Sequence, residues 1–434
     1  MGEKKNKHNR KREEISEESV IRMGKPVNLI LGLAVILYAA AMTNLMPTVV
    51  NNVLYLSAVP LMFSALGGKA EEGGLAEADE KSLLLRLCRI FIVPYFWFSL
   101  IKLVTDAVLM LATNGWTLDD MCSAVLETVT FYGGSEVWFL TSAFVAFAVY
   151  STLRNRIKVS GILPITLFTA GAVAAVIQFA NIRLSNIVWN NDLTLMGAVA
   201  RIAMVFLRSV FAMYFISLGS FFSTFLKKVK YRKIMLSIPG FLLVGVAVAL
   251  EVITEKNISW AALTAEGMLP GMLFSSLIIC GVWCLAVWIE NVSFINFIGR
   301  NAFVVFLTLN IFGSIALARK IGNELFALTE NNFVKRSTVA LVLLAACFAW
   351  IYVFKIPWLG FIKGIGDEAD AFKIEKAKEL DKEIEKEPET EQEQDEEPEQ
   401  EIEIEQEQAK EQEHKKKKGK KKKRKRKEEQ TTNI

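Results

Sequence analysis

Met268-Leu-Pro-Gly-Met-Leu-Phe-Ser-Ser-Leu-Ile-Ile-Cys-Gly-Val-Trp-Cys-Leu-Ala-Val-Trp288 runs without one charged side chain. As a helix it rises about 30 Å at about 1.5 Å per residue, the depth of a bilayer's hydrocarbon core. In lipid a segment must satisfy its own backbone, which leaves helices or closed barrels. The stretch is continuously apolar and not alternating, so it reads as a helix.

Outward from it, the pattern repeats over residues 27–356, at 27–46, 53–66, 83–111, 137–153, 162–180, 198–221, 234–253, 268–288, 302–318 and 337–356. The expected fold is all-α and polytopic, with about ten transmembrane helices. The second stretch is short and interrupted by Pro60. Pro94 removes a backbone donor from the third and predicts a kink there.

Lysine and arginine set the expected orientation, because short basic loops stay cytoplasmic. The N-terminal tail, residues 1–26, holds Lys4, Lys5, Lys7, Arg10, Lys11, Arg12, Arg22 and Lys25. Alternate loops agree, with Lys69 and Lys81, then Arg154, Arg156 and Lys158, then Lys227, Lys228, Lys230, Arg232 and Lys233. Intervening loops are poor in cations, apart from Arg319, Lys320, Lys335 and Arg336 in one outer loop. An even number of crossings places both termini in the cytoplasm and the protein in the cell membrane. A secretory signal peptide is the competing reading of the start, since Ala39, Ala40 and Ala41 follow an apolar run. The acidic leader (Glu13, Glu14, Glu17, Glu18) and the coherent charge count favour a retained first helix.

A net charge of +4 conceals opposed tails. Within residues 357–434, a charged helix is expected over 367–387, then acidic low complexity over 387–408, then a basic block bounded by Lys415 and Lys427 with twelve Lys and Arg. The last two cannot bury enough apolar surface to fold alone. The block serves either as a topogenic tail or to bind anionic lipid headgroups, each cation adding about 1 kcal/mol near the surface. Nucleic acid is not an expected partner, since no aromatic residues interleave with the cations.

Only His8 and His414 are histidines, and both lie in the tails. Imidazole is therefore excluded as a base or metal ligand within the membrane domain. Cys280 and Cys284 share a helix face, but two sulfurs without histidine make no expected metal site. Intramembrane charge remains as candidate chemistry. Arg86 and Arg89 open the third stretch three residues apart, suited to gripping a phosphate or to simple anchoring by snorkelling. Lys102 and Asp106 form an i, i+4 pair, Arg201 and Arg208 share one face of the sixth stretch, and Glu290, Arg300 and Asn301 mark a cytoplasmic turn. Asp119-Asp120, in the outer loop after the third stretch, reads as solvated surface.

Four segments carry a resemblance. Tyr55-Leu-Ser-Ala-Val-Pro-Leu-Met-Phe-Ser-Ala-Leu-Gly-Gly68, Arg86-x-x-Arg89 with Ile92-Val93-Pro94-Tyr95, Trp138-Phe139-Leu140, and Phe297-Ile298-Gly299-Arg300-Asn301-Ala302 with residues 307–310 follow one another in order. Together they resemble the membrane-bound acyltransferase superfamily, of the fucose 4-O-acetylase-like kind that O-acetylates surface glycans. The resemblance implies an acyl-CoA (acetyl-CoA) donor held by Arg86 and Arg89, and a glycan or lipid-linked sugar as acceptor. It also implies a first-span arginine and histidine, yet Leu31 and Met42 stand near those positions, and the second-span histidine is replaced around residues 57–59. A general base contributes about 10²- to 10⁴-fold. Three readings follow: an acyltransferase with Asp106 or Glu290 standing in as base, a degenerate relative acting as a membrane scaffold or partner subunit, and a transporter or flippase using Arg201, Arg208, Lys102 and Asp106.

Overall fold

The computed structural model describes residues 26–43, 46–72, 80–113, 117–190, 193–228, 233–254, 258–264, 267–289 and 292–356. The chain divides into two units, Met1–Asp370 and Ala371–Ile434. The second unit, the N-terminal tail and Glu290 lie outside the described residues, so the expectations for both tails and for Glu290 fall there as well.

The elements of the first unit are α1 Pro26–Met42, α2 Thr48–Glu72, α3 Glu80–Leu87, a π turn Cys88–Ile92, α4 Val93–Thr113, α5 Leu118–Val129, α6 Trp138–Arg154, α7 Val159–Phe179, α8 Leu184–Asn190, α9 Leu195–Lys228, α10 Lys233–Thr254, α11 Met268–Ile289, α12 Ser293–Arg300, α13 Ala302–Ile311, α14 Ser314–Thr329 and α15 Asn332–Val353. Among the described residues there is no strand. Eight passages are long and apolar enough to cross a membrane: α2, α3 continued into α4, α6, α7, α9, α10, α11 and α15. The fold is an all-α polytopic membrane protein.

Three passages differ from the expected spans. The second is no marginal stretch but the 25-residue α2, with Pro60 accommodated inside it. The ninth, expected unbroken at 302–318, ends at Ile311, because Gly313 takes a left-handed φ of 65° and starts α14 on a new course. Its apolar length is instead completed upstream, where α12 and α13 meet at a 72° bend. α1 is a shorter apolar helix of Pro26–Met42.

Pro94 is accommodated by the π turn just before it. A proline ring clashes with the carbonyl four residues back, and widening the preceding turn removes that clash. The Val93 N–H accordingly donates to the Cys88 carbonyl, five residues back.

Helices α2, α6 and α9 form the buried centre, while α7, α10 and α15 turn large apolar side chains outward, among them Phe168, Ile238, Phe241 and Leu341. Lipid offers little hydrophobic drive for helix association, so close backbone contact at small residues takes its place. A Cβ on Gly67 would overlap the Ile216 carbonyl, and one on Gly219 would overlap the Ser64 carbonyl, so α2 and α9 touch backbone to backbone. Ser220 Oγ donates to the Gly67 carbonyl at 3.0 Å across the same seam. Gly32 and Gly299 bring α1 onto α12 in the same way.

Candidate functional site

The four separated motif segments meet around one aromatic cluster. Phe139 of α6 stacks on Phe63 of α2 at 4.3 Å and packs against Phe303 and Phe306 of α13 at 6.0 and 5.3 Å. Phe91, in the π turn, contacts Phe147 at 5.6 Å and Phe303 at 6.4 Å. Tilted and edge-on rings at these spacings add to burial in fixing the helices' mutual rotation.

At one end of this cluster lies the sequence-predicted arginine pair. Leu83, Leu87 and Ile90 form the buried row of the segment, and Leu84 and Leu85 face outward. Arg86 is half-buried beside the buried row, whereas Arg89 is exposed, on the other side of the α3–π junction. The fold therefore gives the two guanidinium groups different surroundings. At the end of α2, Glu71 accepts from Arg154 Nε at 3.2 Å and from the Tyr150 hydroxyl at 2.9 Å, tying the end of α2 to that of α6.

At the other end lies a polar cluster built on Glu136, whose side chain is buried at 2 % exposure. Its Oε1 accepts from the Tyr38 hydroxyl of α1 at 2.6 Å and from Asn310 Nδ2 of α13 at 3.0 Å. Its Oε2 accepts from the Ser135 hydroxyl, which in turn accepts from Asn310 Nδ2 at 3.0 Å. Two helices and a loop thus converge on one carboxylate, satisfying the rule that a buried polar group needs hydrogen-bond partners. The backbone leading to it is unusual. Phe131, Gly133 and Ser135 all have positive φ, at 58°, 65° and 55°. Left-handed non-glycine residues cost of order 1–3 kcal/mol each and persist where surrounding contacts over-determine them.

Those contacts are supplied by Arg208 of α9. Its Nε and Nη2 both donate to the Ala261 carbonyl, the former at 2.7 Å, and its Nη1 donates to the Tyr132 carbonyl at 2.9 Å. The guanidinium also lies over the Tyr132 ring at 4.4 Å and within 5.2 Å of the Trp138 ring centre. Arg208 therefore pins the strained loop to the α10–α11 connection. Arg201, seven residues earlier on α9, is fully buried.

A charged group borders this cluster. Lys102 Nζ pairs with Asp106 at 2.6 Å, as the spacing predicted. A side chain on Gly134 would meet Glu127 Oε2 at 2.6 Å and Lys102 Nζ at 3.3 Å, so these two groups flank the loop. Burial raises the Glu127 carboxyl above its usual range, opposed by Lys102, Arg201 and Arg208. Tyr95 of α4 donates to the carbonyls of Thr128 and Glu127, at 2.9 and 3.3 Å. Asp120 has a structural role: with Thr117 it forms a capping box at the start of α5, which holds its carboxyl below the usual range through hydrogen bonds from the Thr117 side chain and backbone.

Asp106 stands twenty residues beyond Arg86, a helical rise of about 30 Å, and is already engaged by Lys102. Arg300 is exposed at the α12–α13 bend, where the Asn301 side chain donates to the Phe297 carbonyl at 2.9 Å. The five cysteines are free thiols, and among the described residues no group of three His, Cys, Asp or Glu is arranged to hold a metal ion. Sequence reasoning passed over Tyr38 and Glu136, and had Asn310 only as the last residue of the fourth motif segment. The one available signal was a lone carboxylate abutting an apolar run, two residues before Trp138. No family model matches the chain, and no curated protein or solved structure is significantly similar to it.

Proposed function

We propose that the chain is an integral membrane acyltransferase that passes an acyl group, acetyl in the simplest case, from acyl-CoA to a hydroxyl of a surface glycan or lipid-linked sugar. The observation that carries this reading is the carboxylate of Glu136, which already accepts from two hydroxyl groups, those of Tyr38 and Ser135, in a buried site bordered by the motif segments that hold Tyr55, Trp138 and Asn310. An acceptor hydroxyl in Ser135's place would be held the same way. In this scheme Glu136 replaces the absent histidine. It takes the acceptor's proton as the oxygen attacks the thioester carbonyl carbon, and as the carbon–sulfur bond breaks the Glu136 carboxyl returns that proton to the departing CoA thiolate. Arg86 and Arg89 hold the donor's phosphates at the opposite end. Summing helix rises from Arg86 to Phe91 and from Phe147 to Glu136 separates the two ends by about 24 Å, the distance that an extended pantetheine arm would have to cover.

Both tails are assigned to the cytoplasm and the Glu136 cluster to the far face of the cell membrane. The positive-inside pattern supports this, and the pairing of Glu71 with Arg154 agrees with it by joining two helix ends assigned to the same side. The second reading is a degenerate relative acting as a partner subunit, favoured by a membrane domain without histidine.

The test is acyl transfer by the purified chain in lipid nanodiscs, together with mass spectrometry of hydrolysed envelope glycans from cells with and without it. Loss of one acetyl mark in the deletion, and in Glu136→Gln, is expected. An unchanged acetylation profile in both overturns the enzymatic reading and leaves the subunit reading.

A further inference from the structure

Helix α5 is amphipathic the wrong way round for a water-facing loop. At 100° per residue, Leu118, Met121, Cys122, Val125 and Val129 fall on one face, and this is the face turned away from the protein, with Leu118 77 % and Val129 66 % exposed. Ser123 and Glu127 lie opposite, against the protein, where Glu127 flanks Gly134 with Lys102. Water on the outside would demand the reverse arrangement.

The apolar face is continuous with a surface that meets lipid. Phe131, just past the end of α5, packs edge-on against Phe96 at 5.7 Å, and Phe96, Trp97, Leu100, Val104 and Val108 are the outward row of the crossing helix α4. Tyr95 holds the last carbonyls of α5 against that helix. Of the three acidic residues of α5, Asp119 and Asp120 lie in the first turn and Glu127 faces the protein, and the helix carries no lysine or arginine.

We propose that α5 is seated in the bilayer, in the leaflet that surrounds the C-terminal half of α4, with Leu118, Met121, Cys122, Val125 and Val129 against acyl chains and its acidic first turn at the headgroups. Helix α5 is then a membrane-dipping element and not part of an aqueous loop. Its attachment is apolar and owes nothing to anionic headgroups, since the helix carries no cation to attract them. This assignment is independent of acyl transfer.

Cys122 supplies the probe. In the full chain, with Cys88, Cys280, Cys284 and Cys347 replaced by alanine and in phosphatidylcholine nanodiscs, a nitroxide on Cys122 should collide with oxygen several-fold more than with a water-soluble nickel chelate. The order should reverse for a label at Asp119→Cys in the Cys122→Ala background. In the unsubstituted chain, peptide mapping should find Cys122 protected from a charged maleimide, because a thiol among acyl chains does not form the reactive thiolate, whereas a cysteine at Asp119→Cys should be modified. Dominant nickel collisions at Cys122, or modification of Cys122 by the charged maleimide as readily as a cysteine at position 119, would put the face in water and overturn the proposal. A nitroxide reached by neither agent would mean that protein, such as a second copy, covers it, and overturns it equally.

Discussion

Tyr38 and Glu136, 98 residues apart, share a 2.6 Å hydrogen bond that joins the far half of α1 to the start of α6. The same carboxylate oxygen accepts from Asn310, so this one atom holds three parts of the bundle in register. A hydrogen bond to a charged group contributes about 1.5–3 kcal/mol. Tyr38→Phe should therefore lower stability by an amount in that range while retaining the ring's 4.7 Å contact with Phe306. Glu136→Ala, which takes the acceptor away from three donors, should cost more than Glu136→Gln. Thermal unfolding in detergent, monitored by size-exclusion fluorescence, orders the three variants.

The donor assignment gives a separate outcome. Arg86→Ala with Arg89→Ala should abolish binding of labelled acetyl-CoA to the purified chain. Since Arg86 is half-buried and Arg89 exposed, the single Arg86 substitution should weaken binding more than the Arg89 one. Unchanged binding by the double variant removes the donor role from this pair.

Arg319 of α14 closes α1 from above, its Nε donating to the Thr43 carbonyl at 3.1 Å and its Nη2 to the Met42 carbonyl. These are the orphan acceptors every helix leaves at its C-terminal end. Arg319→Ala should destabilise by about 1–3 kcal/mol, and Arg319→Lys should restore only part, because an ammonium lacks the planar fork. Faster amide exchange in the last turn of α1 would report the loss directly, and unaltered exchange would deny the cap.

Gly219→Val tests the α2–α9 seam. The added side chain must push away the Ser64 carbonyl, a rigid backbone group, at a cost of about 1–3 kcal/mol or more. Gly171→Val, in a position where an added side chain meets nothing within 4 Å, should leave the yield of folded protein unchanged.

Glu127 makes stability depend on pH. Its carboxyl is raised from the ordinary 4.5 by burial, so above that value the native chain keeps a proton that the unfolded chain has lost. Stability then falls as pH climbs from the ordinary value through the raised one, after which the difference is constant. Glu127→Gln escapes this loss, and its melting temperature relative to the unsubstituted chain should increase between pH 4.5 and the raised value. A difference that shrinks with rising pH would show that Lys102 outweighs burial.

The membrane fold was legible because apolar length is a property of local sequence, and the 21- to 34-residue runs of α7, α9, α10, α11 and α15 leave little choice. What hydropathy could not convey was direction. A glycine inside an apolar run is compatible with a continuing helix, and only the positive φ at Gly313 shows that the ninth passage turns there. The pairing of Lys102 with Asp106 was readable because both partners lie on one helix. The donors to Glu136 come from 98 and 174 residues away, so that site exists only once the bundle has assembled. α5 escaped notice for a related reason: its periodicity identifies an apolar face, but not which side of the helix meets the protein.

The π turn at Cys88–Ile92 has a bearing on how this chain can change over time. A widened turn absorbs one extra residue and swings everything after it by about 100° relative to a straight helix. Deleting a single residue there would rotate Lys102, Asp106 and the outward row from Phe96 to Val108 away from their present neighbours while leaving Arg86 where it stands. The basic and polar ends of this long rod are thus separately adjustable, and a helical wheel drawn straight through the junction assigns one of them to the wrong side.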